Sequence, residues 1–223
     1  DLALLRDFES GHAVRFYLQP GGIESVRPLQ PGAPPLGYAL PSFGLLLEFE
    51  PTDFIQVNGE LNERMVGRAV ELLGLERGHA VLDLFCGLGN FSLPLATRAR
   101  EVVGIEGDAG LVTRAALNAA RNALANAAFH VADLFADSSG APWAQRHYDR
   151  VLLDPPRAGA REILPVVGGC GASRVVYISC HPGSLARDAG LLVREHGFRL
   201  AAAGVMDMFP HTAHVEAVAV FER

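Results

Sequence analysis

Lysine is absent from this chain of 223 residues: all 19 basic side chains are arginine, a bias of composition that assigns no function by itself. Cysteine is scarce. Cys86, Cys170 and Cys180 have neither the even count nor the spacing of a disulfide framework or a zinc site, which fits a reducing, cytoplasmic compartment. No apolar run approaches the ~18 residues that span a bilayer, and no charged-then-apolar leader opens the chain, so a membrane partner is not expected. Repeats and low-complexity tracts are missing too. So is a basic surplus: the net charge of −6 argues at first against nucleic acid. Charge alone does not decide this, because Arg157, Arg161 and Arg187 gather near one candidate site and a local patch could serve. The chain opens on Asp1 rather than Met, so it reads as a piece of a longer protein, and a monomer is the expected state.

With 49% hydrophobic residues, the chain can bury one large domain plus an appendage. The texture changes near residue 50. Before it, residues 2–8 read as a short helix, 13–18, 23–26 and 44–49 as strands, and 28–41 as a stretch of turn-formers. Asn58 then stands where it can cap a helix with Leu61, Met65, Ala69 and Leu72 at helical spacing. From Ala80 onward strands alternate with helices. Strands are expected at 81–84, 102–105, 129–131, 150–153 and 175–178, and helices at 90–98, 109–124, 159–167 and 184–196, the third shortened or kinked by Pro165. Such alternation makes an α/β parallel, doubly wound sheet. Two final strand-like runs, 198–208 and 214–221, leave no room for a crossover helix and should pair antiparallel, as in the class I S-adenosylmethionine-dependent methyltransferase (Rossmann-like) fold.

Ligands of open α/β sheets bind at the carboxyl ends of the strands, and the informative residues cluster there. Gly87-Leu88-Gly89-Asn90-Phe91-Ser92 has serine in place of a dinucleotide turn's third glycine, so alone it is a weak signal. Its acidic company says more. Asp83, Glu106, Asp133 and Asp154 each fall at or near a strand end, a ring that would repel a pyrophosphate but suits the cationic sulfonium and ammonium of S-adenosylmethionine. Glu106 stands where an acid can accept ribose hydroxyls. The competing reading makes these acids helix caps and solvated loop residues.

Asp154-Pro155-Pro156-Arg157 carries arginine where amine methyltransferases tend to place an aromatic residue after the prolines. Cys180 follows the apolar run Val175-Val176-Tyr177 at the exit of a buried strand. A methyltransferase needs a thiol only for a poorly nucleophilic target such as pyrimidine C5: the thiolate adds to C6, C5 attacks the methyl group, and a base then removes the C5 proton. Glu216, inside an otherwise apolar strand, is the candidate base, unless it merely points to solvent from an alternating strand. Cys86 and Cys170 read as packing thiols. His211-Thr212-Ala213-His214 has a spacing that tempts a metal reading but lacks a third ligand; Phe209 and His211 are instead expected near the substrate.

These motifs resemble the RNA uracil-5-methyltransferases, and among them the bacterial iron-sulfur type that acts on 23S ribosomal RNA. The likeness covers nearly the whole chain and is strongest in Asp53 to Asn58, Leu82 to Leu95, Leu153 to Ala160, Tyr177 to Asp188 and Asp207 to Phe221. It implies methylation of a uridine to 5-methyluridine, with Cys180 as nucleophile and Glu216 as base. It places Gln56, Phe85, Asn90, Glu106, Asp133 and Asp154 around S-adenosylmethionine, and Arg157 on the substrate side. Residues 1–50 would be the remnant of a central α+β domain and 51–223 the catalytic domain. The family type also has an oligonucleotide-binding barrel and a four-cysteine iron-sulfur cluster; neither lies in this sequence, so the cluster is expected only in an amino-terminal part. His181 replaces the asparagine usual after the cysteine. Methylation of a tRNA uridine or an amine, with a structural Cys180, is the alternative; RNA cytosine enzymes resemble one another in a Pro-Cys motif, whereas here Arg157 follows Pro156.

Overall fold

The computed structural model describes residues 1–208, 210–212 and 215–223; Phe209 and His214 of the terminal turn lie outside the described residues. Helix α1 (Leu2–Gly11) is followed by a small antiparallel pair, β1 (Tyr17–Leu18) and β2 (Arg27–Pro28), and by a hairpin of β3 (Leu36–Leu40) and β4 (Leu45–Phe49). The strand expected over 23–26 is instead a 3-10 turn, Ile23–Ser25, and that over 13–18 shrinks to two residues. Ser25 explains the first difference: its hydroxyl accepts from Gly21 N at 2.9 Å and donates to Gly22 O at 2.6 Å, a local closure that competes with a ladder.

The larger unit runs α2 (Gly59–Leu73), β5 (Ala80–Leu84), α3 (Ser92–Ala96), β6 (Glu101–Glu106), α4 (Ala109–Arg121), β7 (Ala127–Val131), β8 (Arg150–Leu153), α5 (Leu164–Gly169), β9 (Arg174–Ser179), α6 (Pro182–Arg194), β10 (Arg199–Met206) and β11 (Glu216–Glu222). Asn58 caps α2 as expected, its side chain accepting from Leu61 N at 3.2 Å. Pro165 opens α5 after a 3-10 turn, so the helix expected over 159–167 is short and late.

One seven-stranded sheet has the order β10-β11-β9-β8-β5-β6-β7. β9, β8, β5, β6 and β7 are parallel, whereas β11 is antiparallel to both β9 and β10. The terminal strands pair antiparallel because a short return cannot cross over. Central strands are buried on both faces: Val175 and Tyr177 of β9 join one core with Leu82, Leu84 and Leu164, while Val176 and Ile178 join the other with Met65, Val66 and Leu73. Each such aliphatic side chain contributes about 1.5–3 kcal/mol on burial.

The texture boundary near residue 50 does not interrupt this second core. Leu40, Leu45 and Leu47 of the hairpin are buried in it. Asn118 on α4 and Asn122, one turn on at its C-cap, fasten β4 with their amides: Asn118 accepts from Glu48 N at 2.9 Å and donates to Glu48 O at 3.0 Å, and Asn122 pairs likewise with Leu46.

Candidate active site

Chemistry-bearing side chains collect at the carboxyl ends of the central strands, in a cleft of about 580 Å³. Gln56, Phe85, Asn90, Glu106, Asp133, Asp154, Arg157, Cys180 and Glu216, all singled out by sequence, line it together. The antiparallel register makes the decisive juxtaposition. Ala217 of β11 pairs with Ser179 of β9, so the next step along both strands sets Glu216 opposite Cys180. Glu216 does not point to solvent; it is 3% exposed.

The turn after β5 bends sharply because Phe85 takes φ 64°, a conformation costly for a residue with a side chain. This turn leads into Gly87 and Gly89, both at positive φ, and a Cβ on Gly89 would sit 2.4 Å from Leu93 Cδ1. Phe85 meets Phe135 with centroids 5.7 Å apart, and both rings line the cleft. Glu106, at the end of β6, accepts from Gly87 N at 3.1 Å and Gly107 N at 2.7 Å, which ties the glycine loop to the next strand. Asp133 follows β7 and accepts from Phe135 N at 2.9 Å. Gln56 belongs to a loop anchored through Asp53, which accepts from Glu50 N at 2.7 Å and Arg114 Nη2 at 3.0 Å; its own Oε1 is buried without a protein partner.

Asn90 behaves differently from an open ligand group. Its amide pairs reciprocally with Asn62 of α2 at 2.9 and 3.0 Å, and its oxygen also accepts the Tyr38 hydroxyl at 2.8 Å. Tyr38 and Asn62 were not singled out from sequence. Tyr38 falls in the turn-rich stretch 28–41, and only the docked hairpin carries its ring to the cleft.

Burial and mutual repulsion set the electrostatics. Desolvation, with Glu106 nearby, pushes Asp83 up to about 7 against the Ser92 hydroxyl that it accepts. Asp154 is pushed up to about 8 by desolvation and by the charges of Glu216 and Asp83. Burial raises Glu216. The Cys180 thiol is also raised, by desolvation and then by Glu216 and Asp154, while Arg157 acts in the opposite direction. Cys86 is a packing thiol lodged beneath Gly104, buried and pushed far above the ordinary thiol range, and Cys170 is buried as well. His181 makes the bond that an asparagine cap would make: its Nδ1 accepts from Ser184 N at 3.1 Å at the start of α6. No group of three or more metal-ligating side chains occurs among the described residues.

Residues 45–223 match the family model described as tRNA (uracil-5-)-methyltransferase. The chain belongs to this family. It is 58% identical to the 23S rRNA (uracil(1939)-C(5))-methyltransferase RlmD of Xanthomonas axonopodis pv. citri over 97% of its length, and 56% identical to that of Stenotrophomonas maltophilia over 100%. In both cases it spans about half of the relative, 49% and 50%. Among solved structures, it is similar to a Pyrococcus abyssi tRNA (uracil-54, C5)-methyltransferase in complex with S-adenosyl-L-homocysteine, with a TM-score of 0.76 at 27% identity, covering 93% of this chain and 50% of that one. The family's methyltransferase fold is therefore the fold of this chain, its parallel sheet closed by the antiparallel hairpin.

Proposed function

We propose that this chain carries the catalytic machinery for S-adenosylmethionine-dependent C5 methylation of a uridine in 23S ribosomal RNA. The observation that carries the reading is the register that sets a buried carboxylate, Glu216, opposite Cys180 on the rim of an acid-lined cleft. The cleft fits the cofactor in three respects: the acids suit a cation, Phe85 and Phe135 suit an adenine, and the orphaned Gln56 Oε1 is an acceptor awaiting a donor. When bound, S-adenosylmethionine supplies an electrophilic methyl group on a cationic sulfur.

The chain's own residues perform the rest. Cys180 as thiolate forms a bond to uracil C6, and the electrons of the C5–C6 double bond move toward C5 and the C4 carbonyl. C5 then takes the methyl group. Glu216 removes the C5 proton, the double bond returns, and the sulfur–C6 bond breaks to release the thiolate and leave 5-methyluridine in the RNA. In the empty cleft Asp154 is pushed up to about 8, by desolvation and then by the charges of Glu216 and Asp83. Arg157 stands on the substrate side and favours the thiolate.

The target base must be turned out of its stack to reach this rim. Phe54, 76% exposed beside Gln56, offers apolar surface to the cleft. The relatives' names favour ribosomal RNA over tRNA as substrate. Residues 51–223 act as the catalytic domain in this reading, with Tyr38 borrowed from residues 1–50. A monomer acting where ribosomal RNA is found, in the cytoplasm, belongs to the same reading. No described helix is long and apolar enough to cross a membrane.

Methyl transfer to a 23S fragment and to tRNA, measured with labelled cofactor, tests the reading. Label in C5 of a ribosomal uridine is expected. Label on an amine, or transfer retained by Cys180→Ala, overturns it.

A further inference from the structure

Asp188, on α6, is fully buried and takes no part in the chemistry above. A buried carboxylate is costly unless its lone pairs are satisfied, and here they are. Its Oδ2 accepts from Tyr177 Oη at 2.6 Å and Ala160 N at 2.8 Å; its Oδ1 accepts from Arg187 Nε at 2.8 Å. Arg187 in turn donates from Nη2 to Ala158 O at 2.8 Å. Gly159 lies between these contacts at φ +87°, where a Cβ would stand 2.5 Å from Asp188 Oδ2 and 2.4 Å from Arg187 Nη2. The network therefore joins three pieces: β9, which ends one residue before Cys180; α6, which starts just after it; and residues 154–160, which carry Asp154 and Arg157.

We propose that Asp188 is a positioning residue that, through Tyr177 and Arg187, clamps the Asp154–Arg157 turn against the Cys180 strand and so sets the reactivity of the thiol. The inference rests on the reading of Cys180 as nucleophile. The charged and titratable groups facing this sulfur come from several elements: Glu216 on β11, and Asp154 and Arg157 on the clamped turn, with Asp83 behind Asp154. His181 adjoins it in sequence with Nδ1 already engaged by Ser184 N. The acids disfavour the thiolate and Arg157 favours it. Asp154 is anchored separately, its N donating to Leu84 O at 3.3 Å, whereas the clamp holds Ala158 and Ala160. Releasing the clamp therefore displaces Arg157, the favourable charge, and leaves the acids in place.

The test is alkylation of Cys180 by iodoacetamide as a function of pH in the full chain, read by mass spectrometry of the Cys180 peptide; Cys86 and Cys170 are buried. Asp188→Asn is expected to move the midpoint upward and slow alkylation near neutrality about three- to tenfold, since the thiolate fraction falls while its nucleophilicity partly compensates. Arg187→Met, which cuts the bonds to Asp188 and Ala158, should shift it in the same direction. Arg157→Met should do so too, and the double variant Arg187→Met/Arg157→Met should add little, because Arg187→Met acts by displacing the charge that Arg157→Met deletes. An unmoved midpoint in folded Arg187→Met, or fully additive shifts, overturns the clamp; Arg187→Met carries the test even if Asp188→Asn fails to fold. Alkylation needs no RNA. Absence of uracil methylation by the unsubstituted protein, with these shifts intact, would sink the uracil reading and leave the clamp standing.

Discussion

Glu216 is the residue on which sequence and structure bear most directly. A charged side chain in an apolar strand has two explanations, solvent or function, and its burial opposite Cys180 removes the first. Replacing it by glutamine keeps shape and removes the base. Glu216→Gln is therefore expected to form the bond to uracil C6 yet release product at least a hundredfold more slowly, so that a protein–RNA adduct accumulates on a denaturing gel. A variant that turns over normally would show that another group takes the proton. The thiol adds a pH dependence with a definite sign. Because burial and two acids raise Cys180 above the ordinary 9.0, its thiolate is a minority at neutrality, and initial adduct formation should climb as pH rises from about 7 to 9. A rate that falls over that range would contradict the assignment.

Elements were legible where periodicity was strong and obscure where it was not. The five parallel strands and the terminal hairpin followed from apolar runs at the spacing of βα units, since both faces of such strands must be covered. The segment before residue 50 gave weaker signals. Ser25 closes a turn where Ile23 suggested a strand, and Tyr38 lies among prolines and glycines with no pattern to mark its ring as part of the cleft. Most of the nine expected site residues follow the carboxyl ends of parallel strands, where topology places them, whereas Glu216 opens antiparallel β11 and Gln56 lies in the loop before α2. Tyr38 and Asn62 arrive through tertiary docking, which a linear pattern does not encode. That docking can be measured. Asn118 satisfies Glu48 N, Glu48 O and Leu88 O from a fully buried position, so Asn118→Ala should lower unfolding free energy by roughly 2–4 kcal/mol in a denaturant titration and weaken cofactor binding through the displaced loop. Asn58→Ala removes only the cap of α2 and should cost about 1 kcal/mol. Equal costs for the two would mean that the amide ladder does not hold the hairpin.

For the whole molecule, two desolvated acids make the empty protein sensitive to base: Asp154, which lines the cleft, and Asp83, which is expected in the same ring but lies fully buried against Ser92 outside the lining. Asp83 and Asp154 rise from the ordinary 3.8 to about 7 and about 8, so the folded state holds protons that the unfolded chain has released. Their contribution is fully present below about pH 4 and is lost as pH climbs through 7 to 8. Thermal melts without cofactor should accordingly show stability falling from about pH 5 to 8, and S-adenosylmethionine should flatten that slope, since a bound cation favours the ionised acids. Stability that rises over this window would contradict the burial of the two acids. The central claim is that Cys180 attacks uracil C6 in a cleft that Glu216 helps to form. Its most direct test is an RNA fragment with 5-fluorouracil at the target, incubated with the protein and S-adenosylmethionine and run on a denaturing gel: fluorine cannot be abstracted by Glu216, so a covalent adduct that carries the methyl group and maps to Cys180 is predicted. Its formation in equal amount by Cys180→Ala would contradict the account.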